Sequence, residues 1–192
     1  MLEKNVDLKQ LLLLLVLKNE GPIGRYRLDD MLYLPEGVVR GLLLKLSKEG
    51  YISAGKPGCQ LTNNGRALLS RLLAKYGVTE IKEFEEKSLK IAEKHIAVQV
   101  KGKAEFVKSA MKHRDIAVRA CANGAIILTY SRGVLSIPNV YSNLTAENPK
   151  LAERITQAFK MEEGDLIILS GAENKWRALE GSLAIVLSLT QP

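Results

Sequence analysis

Seven consecutive apolar residues near the N-terminus, LLLLLVL at positions 11–17, constrain this fold more than any other feature. Seven residues fall far short of the roughly 20 that span a bilayer. Acidic residues precede the run, and a Gly-Pro pair without a small-x-small cleavage site follows it. An apolar run without a polar face is typical of a helix buried on most sides. We therefore predict a buried helix over residues 7–19, ended by Gly21 and Pro22, with no targeting or membrane role.

The composition predicts a folded protein of the reducing cytoplasm. Of its 192 residues, 46% are hydrophobic and 26% charged, enough to form a core in one large domain or two small ones. Cys59 and Cys121 are the two cysteines and form no C-x-x-C motif, which excludes a disulfide scaffold. The two histidines do not complete a recognised zinc spacing. We expect no metal and no cofactor.

The charge is concentrated in the first part of the chain. The whole chain carries +7, which suggests a polyanionic partner. Residues 1–77 hold 12 Lys or Arg against 7 Asp or Glu, a net charge of +5, whereas residues 78–192 hold 16 against 14, a net charge of +2. An aromatic content of 5% argues against a stacking platform for single-stranded nucleic acid. The excess basic charge, and with it the expected polyanion-binding surface, therefore lies mainly in residues 1–77.

Local patterns predict the elements that follow the first helix. Residues 25–32 are amphipathic, and Pro35 interrupts the pattern. Residues 36–49 place Val39, Leu42, Leu43 and Leu46 on one helical face. Two short strand-like pieces, 51–53 and 59–61, flank a turn-rich segment and predict a hairpin. Thr62 then caps a helix over 63–76. This order is what a winged helix-turn-helix requires.

Several motifs carry a resemblance to known proteins. Residues 21–28 read GPIGRYRL, residues 34–40 LPEGVVR, residues 46–52 L-x-x-E-G-x-I, and residues 61–66 L-T-x-x-G-R. They resemble the winged-helix domains of prokaryotic transcriptional regulators. The whole chain is also similar to an archaeal family that joins such a domain to a C-terminal α+β domain of unknown activity. The resemblance implies a DNA-binding regulator with possible effector sensing and supplies no catalytic residue.

The outward positions of the predicted recognition helix are the leading candidates for DNA contact. Arg40 and Lys45 suit the major groove, where arginine bonds guanine through two donors. Phosphates would be contacted by Arg25 and Arg27 before the helix, Lys56 at the wing tip and Arg66 after the wing. The predicted set is Arg25, Arg27, Gly37, Val38, Arg40, Gly41, Lys45, Lys48, Lys56 and Arg66. Any single cation could instead be a solvated surface charge.

Gly37 and Gly41 stand out within this helix, since glycine inside a helix costs about 0.5–1 kcal/mol relative to alanine. A close approach of the backbone to DNA would explain the pair. The alternative is that Gly37 merely occupies the first turn, where the cost is smaller. The wing carries Lys56 as its single cation, which leaves open a protein-binding role for this domain.

The second half of the chain predicts a linker and a layered domain. Residues 78–94 are charged, with apolar positions at Ile81, Phe84, Leu89 and Ile91, and predict a helical linker. Residues 95–192 predict the order β-α-β-β-α-β-α, with Pro149 at the start of a helix. The fold class is therefore α+β, in which a winged helix-turn-helix over 1–77 is joined to a small α/β-layer domain with a mainly antiparallel sheet.

Two segments of the C-terminal domain are candidates for effector binding. One is the Ala-rich stretch 113–125, and the other is 171–181, where a strand, a glycine turn and a helix start would offer backbone N–H groups to an anion. The candidate residues are Arg114, Asp115, Glu173, Asn174, Lys175 and Arg177, and Trp176 could line the pocket. The alternative is close helix packing or dimerisation, for which the small residues of 172–184 are also suited.

Three functions follow from these patterns. The leading one is a DNA-binding regulator that forms a homodimer to read two half-sites, with a small-molecule effector on its C-terminal domain. The second is a metabolite-binding protein or enzyme whose site lies in that domain. The absence of phosphate-loop, nucleophile-elbow and H-E-x-x-H motifs argues against an enzyme. The third is a protein-protein adaptor, suggested by the lightly charged wing and the outward Leu44.

Overall fold

A computed structural model describes residues 7–85, 89 and 91–189. The chain divides into two compact units, Met1–Leu73 and Ala74–Pro192. Helices and antiparallel strands alternate in both, so the predicted α+β class is confirmed. No helix within the described residues is long and apolar enough to cross a membrane.

The described part of the N-terminal unit contains four helices and a two-stranded hairpin. Its elements are α1 (Leu8–Glu20), α2 (Arg25–Leu32), α3 (Glu36–Lys48), β1 (Ile52–Gly55), β2 (Gly58–Leu61) and α4 (Asn63–Lys75). Every residue from Gln10 to Leu17 is buried, as the apolar run predicts. The antiparallel hairpin is fastened to the α1–α2 connection by two hydrogen bonds between the backbones of Ile23 and Cys59, at 2.8 and 3.0 Å.

The motifs at residues 46–52 and 61–66, on either side of the hairpin, each have a structural role. Gly50, which ends α3, has a φ of +75°, in the left-handed region that glycine enters without strain. The Thr62 hydroxyl accepts a hydrogen bond from the Gly65 N–H at 3.1 Å, which confirms the predicted cap. A Cβ at Gly65 would overlap the carbonyl oxygen of Tyr51. These three residues therefore fix how α3, the hairpin and α4 join.

The C-terminal unit is built on one five-stranded antiparallel sheet in the order β3-β4-β7-β5-β6. The strands are β3 (Val78–Glu83), β4 (Lys94–Val100), β5 (Gly124–Ser131), β6 (Val134–Ser136) and β7 (Leu166–Ala172). The helices are α5 (Ala110–Arg119), α6 (Leu144–Glu147), α7 (Pro149–Ala158) and α8 (Lys175–Ser188), and a single 3-10 turn occupies Ala104–Phe106.

Helices cover both faces of this sheet. On one face, Leu151, Ile155 and Phe159 pack against Leu128 and Ile167 of the central strands. On the other, α8 packs on β4 and β7, and the buried hydroxyls of Ser182 and Ser170 are hydrogen bonded at 2.9 Å. α8 also lies close to α5, since a Cβ at Gly181 would be 2.6 Å from the Cβ of Ala122. Two covered faces explain why β4 and β7 are apolar along nearly their whole length.

The predicted helical linker over 78–94 is wrong. Residues Val78–Glu83 form the edge strand β3, paired with β4 through Val78 with Val100 and Ile81 with Val98. None of the other described residues between 84 and 93 is helical, and residues 86–88 and 90 lie outside the described residues. An edge strand with one side in water tolerates alternating charges, which is why its pattern resembles that of a solvated helix.

Candidate functional site

The outward face of α3 collects most of the predicted DNA-contact residues. Val39, Leu43 and Leu46 are buried, so the opposite side of the helix is turned to solvent. The exposed positions on α3 include Glu36, Gly37, Val38, Arg40, Gly41, Leu44, Lys45 and Lys48. We call this set the α3 face. Six of its members were predicted from the sequence as DNA contacts.

The predicted cations of the N-terminal unit fall into two classes. Among the described residues, none of the following exposed side chains forms an ion pair: Arg27, Arg40, Lys45, Lys48, Lys56 and Arg66. Arg25 differs, because its Nη2 lies 3.0 Å from Oε1 of Glu36 and its guanidinium stacks over the ring of Tyr26 at 5.1 Å. Arg25 therefore joins the first residues of α2 and α3.

Gly37 and Gly41 have open space where a side chain would stand. Beyond the adjacent residues and the backbone of the helix itself, no atom of the described residues lies within 4 Å of a Cβ built at either position. At about 100° per residue, the line through the two glycines lies between Val38 on one side and Arg40 on the other, each about 80° away. The first half of the α3 face is therefore bare backbone flanked by one apolar and one cationic side chain.

The hairpin places one cation at its tip. Lys56 and Pro57 form a two-residue turn between the paired residues Gly55 and Gly58. Arg66 lies in the first turn of α4, just after the second strand. Both side chains are exposed, so each is available to a partner outside the chain.

Sequence reasoning missed two exposed aromatic side chains that frame α2. Tyr26 is 72% exposed, and Tyr33 is 52% exposed at the end of the helix with a φ of +51°. A left-handed φ is uncommon for a bulky residue. The sequence feature that could have indicated these side chains is the presence of two tyrosines around α2 in a chain with 5% aromatic residues.

Two structural premises of the predicted anion site at the start of α8 are wrong. Gly171 lies inside β7, paired with His95 and Gly124, and does not form a turn. The side-chain oxygen of Asn174 accepts hydrogen bonds from the backbone N–H groups of Trp176 and Arg177, both at 2.9 Å. Asn174 is therefore a helix cap that occupies the groups an anion would need.

The remaining predicted effector residues form ion pairs. Arg114 is bound to its neighbour Asp115 at 2.8 Å on the exposed side of α5. Arg177 lies 3.5 Å from Glu173, and Lys175 lies 3.1 Å from Glu83 at the end of β3. Trp176 is buried and belongs to the core of the unit. The six residues thus include one cap and three pairs with carboxylates.

A family model described as a domain of unknown function, DUF4443, matches residues 91–189, just over half of the chain. The chain belongs to the DUF4443 family. The matched region runs from just before β4 through the end of α8 and so covers four of the five sheet strands. No curated protein matches the chain.

The fold that contains the DUF4443 region also occurs in a solved structure. That protein is described as hypothetical protein PH0730 from Pyrococcus horikoshii OT3. The similarity covers 94% of this chain and 91% of that chain, with 29% sequence identity and a TM-score of 0.72. The likeness thus extends well beyond the DUF4443 region, into the N-terminal unit.

A cavity of about 370 Å³ lies at the border of the DUF4443 region. Its lining includes three carboxylates, Glu83, Glu85 and Glu93, together with Lys94, Lys175 and His95. Lys175 is the one predicted effector residue that reaches it. No group of three His, Cys, Asp or Glu side chains within the described residues is arranged to hold a metal ion.

His113 and Cys59 are among the titratable side chains whose pKa values are shifted. Burial lowers the pKa of the His113 imidazole in the DUF4443 region, and a backbone hydrogen bond with Phe106 acts in the opposite direction. Burial raises the pKa of the Cys59 thiol in the N-terminal unit, although the positive charge of Arg25 opposes this shift. His113 therefore favours its neutral form more than a histidine in water does.

Proposed function

We propose that this protein binds double-stranded DNA through the α3 face and acts as a transcriptional regulator. The observation that supports the proposal is which charged side chains around α3 form ion pairs. Six exposed cations form no ion pair among the described residues, whereas the single acid of the face, Glu36, is held by Arg25. A surface with unpaired cations and a neutralised carboxylate attracts phosphates.

The geometry of α3 suits the major groove. The helix has 13 residues and is packed on its buried side by Val39, Leu43 and Leu46, so its outer side is rigidly presented. A major groove about 12 Å wide admits an α-helix, and recognition helices contact bases mainly through their N-terminal residues. Arg40 lies within the first half of α3, where a bidentate contact with guanine is expected.

The two glycines support the same proposal. Each weakens the helix, and neither is required by a tertiary contact, because no atom of the described residues beyond the adjacent residues and the helix backbone lies within 4 Å of a Cβ at these positions. A bare helix surface allows another molecule to approach the backbone closely. DNA in the major groove would use that space.

The chain is proposed to form a homodimer through its C-terminal unit. A helix-turn-helix protein reads two half-sites about one helical turn apart when it carries two recognition helices. Sedimentation equilibrium of the full chain, with and without a duplex, measures the stoichiometry. Two chains per duplex are expected, and one chain per duplex at saturation would contradict the dimer.

The DNA proposal is tested by fluorescence anisotropy of the full chain with labelled duplexes between 50 and 200 mM salt. Each phosphate contact contributes about −0.9 to the slope of log affinity against log salt concentration. The four cations not assigned to base edges, Arg27, Lys48, Lys56 and Arg66, should therefore give a slope of about −3.6. Arg40→Ala should weaken binding, whereas Arg119→Ala, a matched change of an exposed arginine on α5, should not. Equal binding by the two variants would contradict a role for α3.

The cavity favours a second candidate function for the C-terminal unit, small-molecule binding. A polar lining with three carboxylates and two lysines suits a ligand that carries a cationic group. A thermal-shift screen of amines, amino acids and nucleotides tests this with the full chain. A rise in melting temperature that Glu93→Gln abolishes is expected, and a rise that survives this change would place the ligand elsewhere.

A further inference from the structure

We propose that the α3 face reads a thymine, with Val38 as the residue that recognises its 5-methyl group. The inference rests on the proposed binding of duplex DNA and specifies which base edge the apolar side of that face selects. It is supported by the position of Val38 next to Gly37 and Gly41, two glycines that no tertiary contact among the described residues explains.

Val38 is both exposed and rigid. Its side chain is 44% exposed and lies in the first turn of α3, whereas the next residue, Val39, is fully buried. Its backbone N–H donates to the carbonyl of Pro35 at 2.8 Å, which fixes the start of α3. A β-branched side chain in a helix has one strongly preferred rotamer. The two methyl groups of Val38 are therefore held in a defined position on the surface.

The flanking glycines leave one side of Val38 open, while the half-buried Leu42 adjoins its other side. On a helix, the residue three positions ahead is a direct neighbour and would normally shield part of an exposed side chain. Here that neighbour is Gly41, and the preceding residue is Gly37, both with open space around the Cβ position. A flat partner surface laid along the two glycines would thus meet the methyl groups of Val38 directly.

The chemistry of Val38 selects one base. In the major groove, thymine is distinguished by its C5-methyl group, which makes apolar contacts, whereas the other bases present donors and acceptors there. Valine offers no hydrogen bond and so gains nothing from the groups of guanine, adenine or cytosine. Arg40, on the opposite flank of the glycine line, can bond guanine. The Val38 side of the α3 face is therefore suited to thymine and the Arg40 side to guanine.

The test begins with duplexes that the full-length protein selects from a random library. Each thymine of the selected site is replaced in turn by deoxyuridine, which removes the 5-methyl group and keeps the base pairing. We expect one replacement to weaken binding about fourfold, which corresponds to the burial of one methyl-sized group. Val38→Ala should bind the thymine and uracil duplexes equally.

Val118→Ala provides the control, because Val118 is a valine of similar exposure, 46%, that lies on α5 outside the α3 face. This variant should keep the preference for thymine over uracil. Binding of the selected duplex without any effect of uracil, or an effect that survives in Val38→Ala, would overturn the inference and leave DNA binding intact. Failure to bind any duplex would instead refute the proposed function itself.

Discussion

The guanidinium of Arg25 lies 3.0 Å from the carboxylate of Glu36 and thereby connects the first residue of α2 to the first residue of α3. This pair has an electrostatic consequence beyond positioning. It neutralises the single acidic side chain of the α3 face and holds Arg25 partly buried against Tyr26. Arg25, predicted from the sequence as a phosphate contact, is thus occupied within the protein.

Glu36→Gln should increase the affinity for duplex DNA. The change removes a negative charge next to the proposed groove contacts and releases Arg25 for a phosphate, so the salt dependence should steepen by about 0.9 in the log-log slope. The helix loses about 0.3–1 kcal/mol, because an acid in its first turn interacts favourably with the helix dipole. Anisotropy titrations over a salt series measure the affinity and its salt dependence, and urea denaturation measures the change in stability.

Glu49→Gln is the matched control, since it removes an exposed carboxylate from the opposite end of the same helix. This variant should show a much smaller gain in affinity. If Glu36→Gln and Glu49→Gln behaved alike, the ion pair with Arg25 would have no part in DNA binding.

Two glycine substitutions should change stability in opposite directions. Gly41→Ala meets open space in the middle of a helix and should increase the free energy of unfolding by about 0.5–1 kcal/mol. Gly65→Ala would place its methyl group on the Tyr51 carbonyl and should reduce that free energy by about 1–3 kcal/mol. Urea denaturation followed by circular dichroism measures both.

Gly41→Ala should also weaken DNA binding despite its greater stability. The methyl group would stand on the line along which the duplex is proposed to approach. A variant that is more stable and binds DNA as well as the natural protein does would show that the bare helix surface serves no purpose in binding.

His113 should make the protein less stable at mildly acidic pH. Burial lowers its pKa in the folded state below the ordinary value of 6.5, so the unfolded chain binds the proton first as the pH falls. The stabilising contribution of the neutral ring is therefore complete above pH 6.5 and is lost as the pH falls toward the lowered pKa. Melting temperatures measured from pH 7.5 to 5 should decline less in His113→Gln, and an unchanged decline would contradict this role.

The two cysteines should differ in reactivity. Cys121 is exposed, whereas Cys59 is buried in the hairpin with a raised thiol pKa, which lowers its thiolate fraction at neutral pH. Mass spectrometry after timed treatment with iodoacetamide at pH 7.5 should show alkylation of Cys121 well before Cys59. Equal rates would indicate that the hairpin opens readily from the α1–α2 connection.

The N-terminal elements were predictable because their signals are local. The apolar run of α1, the periodic leucines of α3 and the Thr62 cap all lie within a few residues of the structure they specify. The exposed positions of α3 follow directly from its buried face. Those features required no knowledge of distant partners.

Strand β3 and the α8 cap were not predictable in the same way. The pairing of Val78 with Val100 joins residues 22 positions apart, and it is this partner that makes a charged segment a strand. Likewise, the side chain of Asn174 could either bind a ligand or cap α8, and its hydrogen bonds to two N–H groups are visible in the folded chain alone. Long-range pairing and side-chain orientation decide both cases.

The most direct test of DNA reading by α3 compares two single variants on one selected duplex and one scrambled duplex. Arg40 belongs to the α3 face and Lys56 to the hairpin tip, and both are exposed cations without an ion pair among the described residues. Arg40→Ala should reduce the difference in binding free energy between the selected and the scrambled duplex by about 1–3 kcal/mol. Lys56→Ala should weaken binding to both duplexes alike. An unchanged ratio in Arg40→Ala would contradict the proposal that α3 reads the DNA sequence.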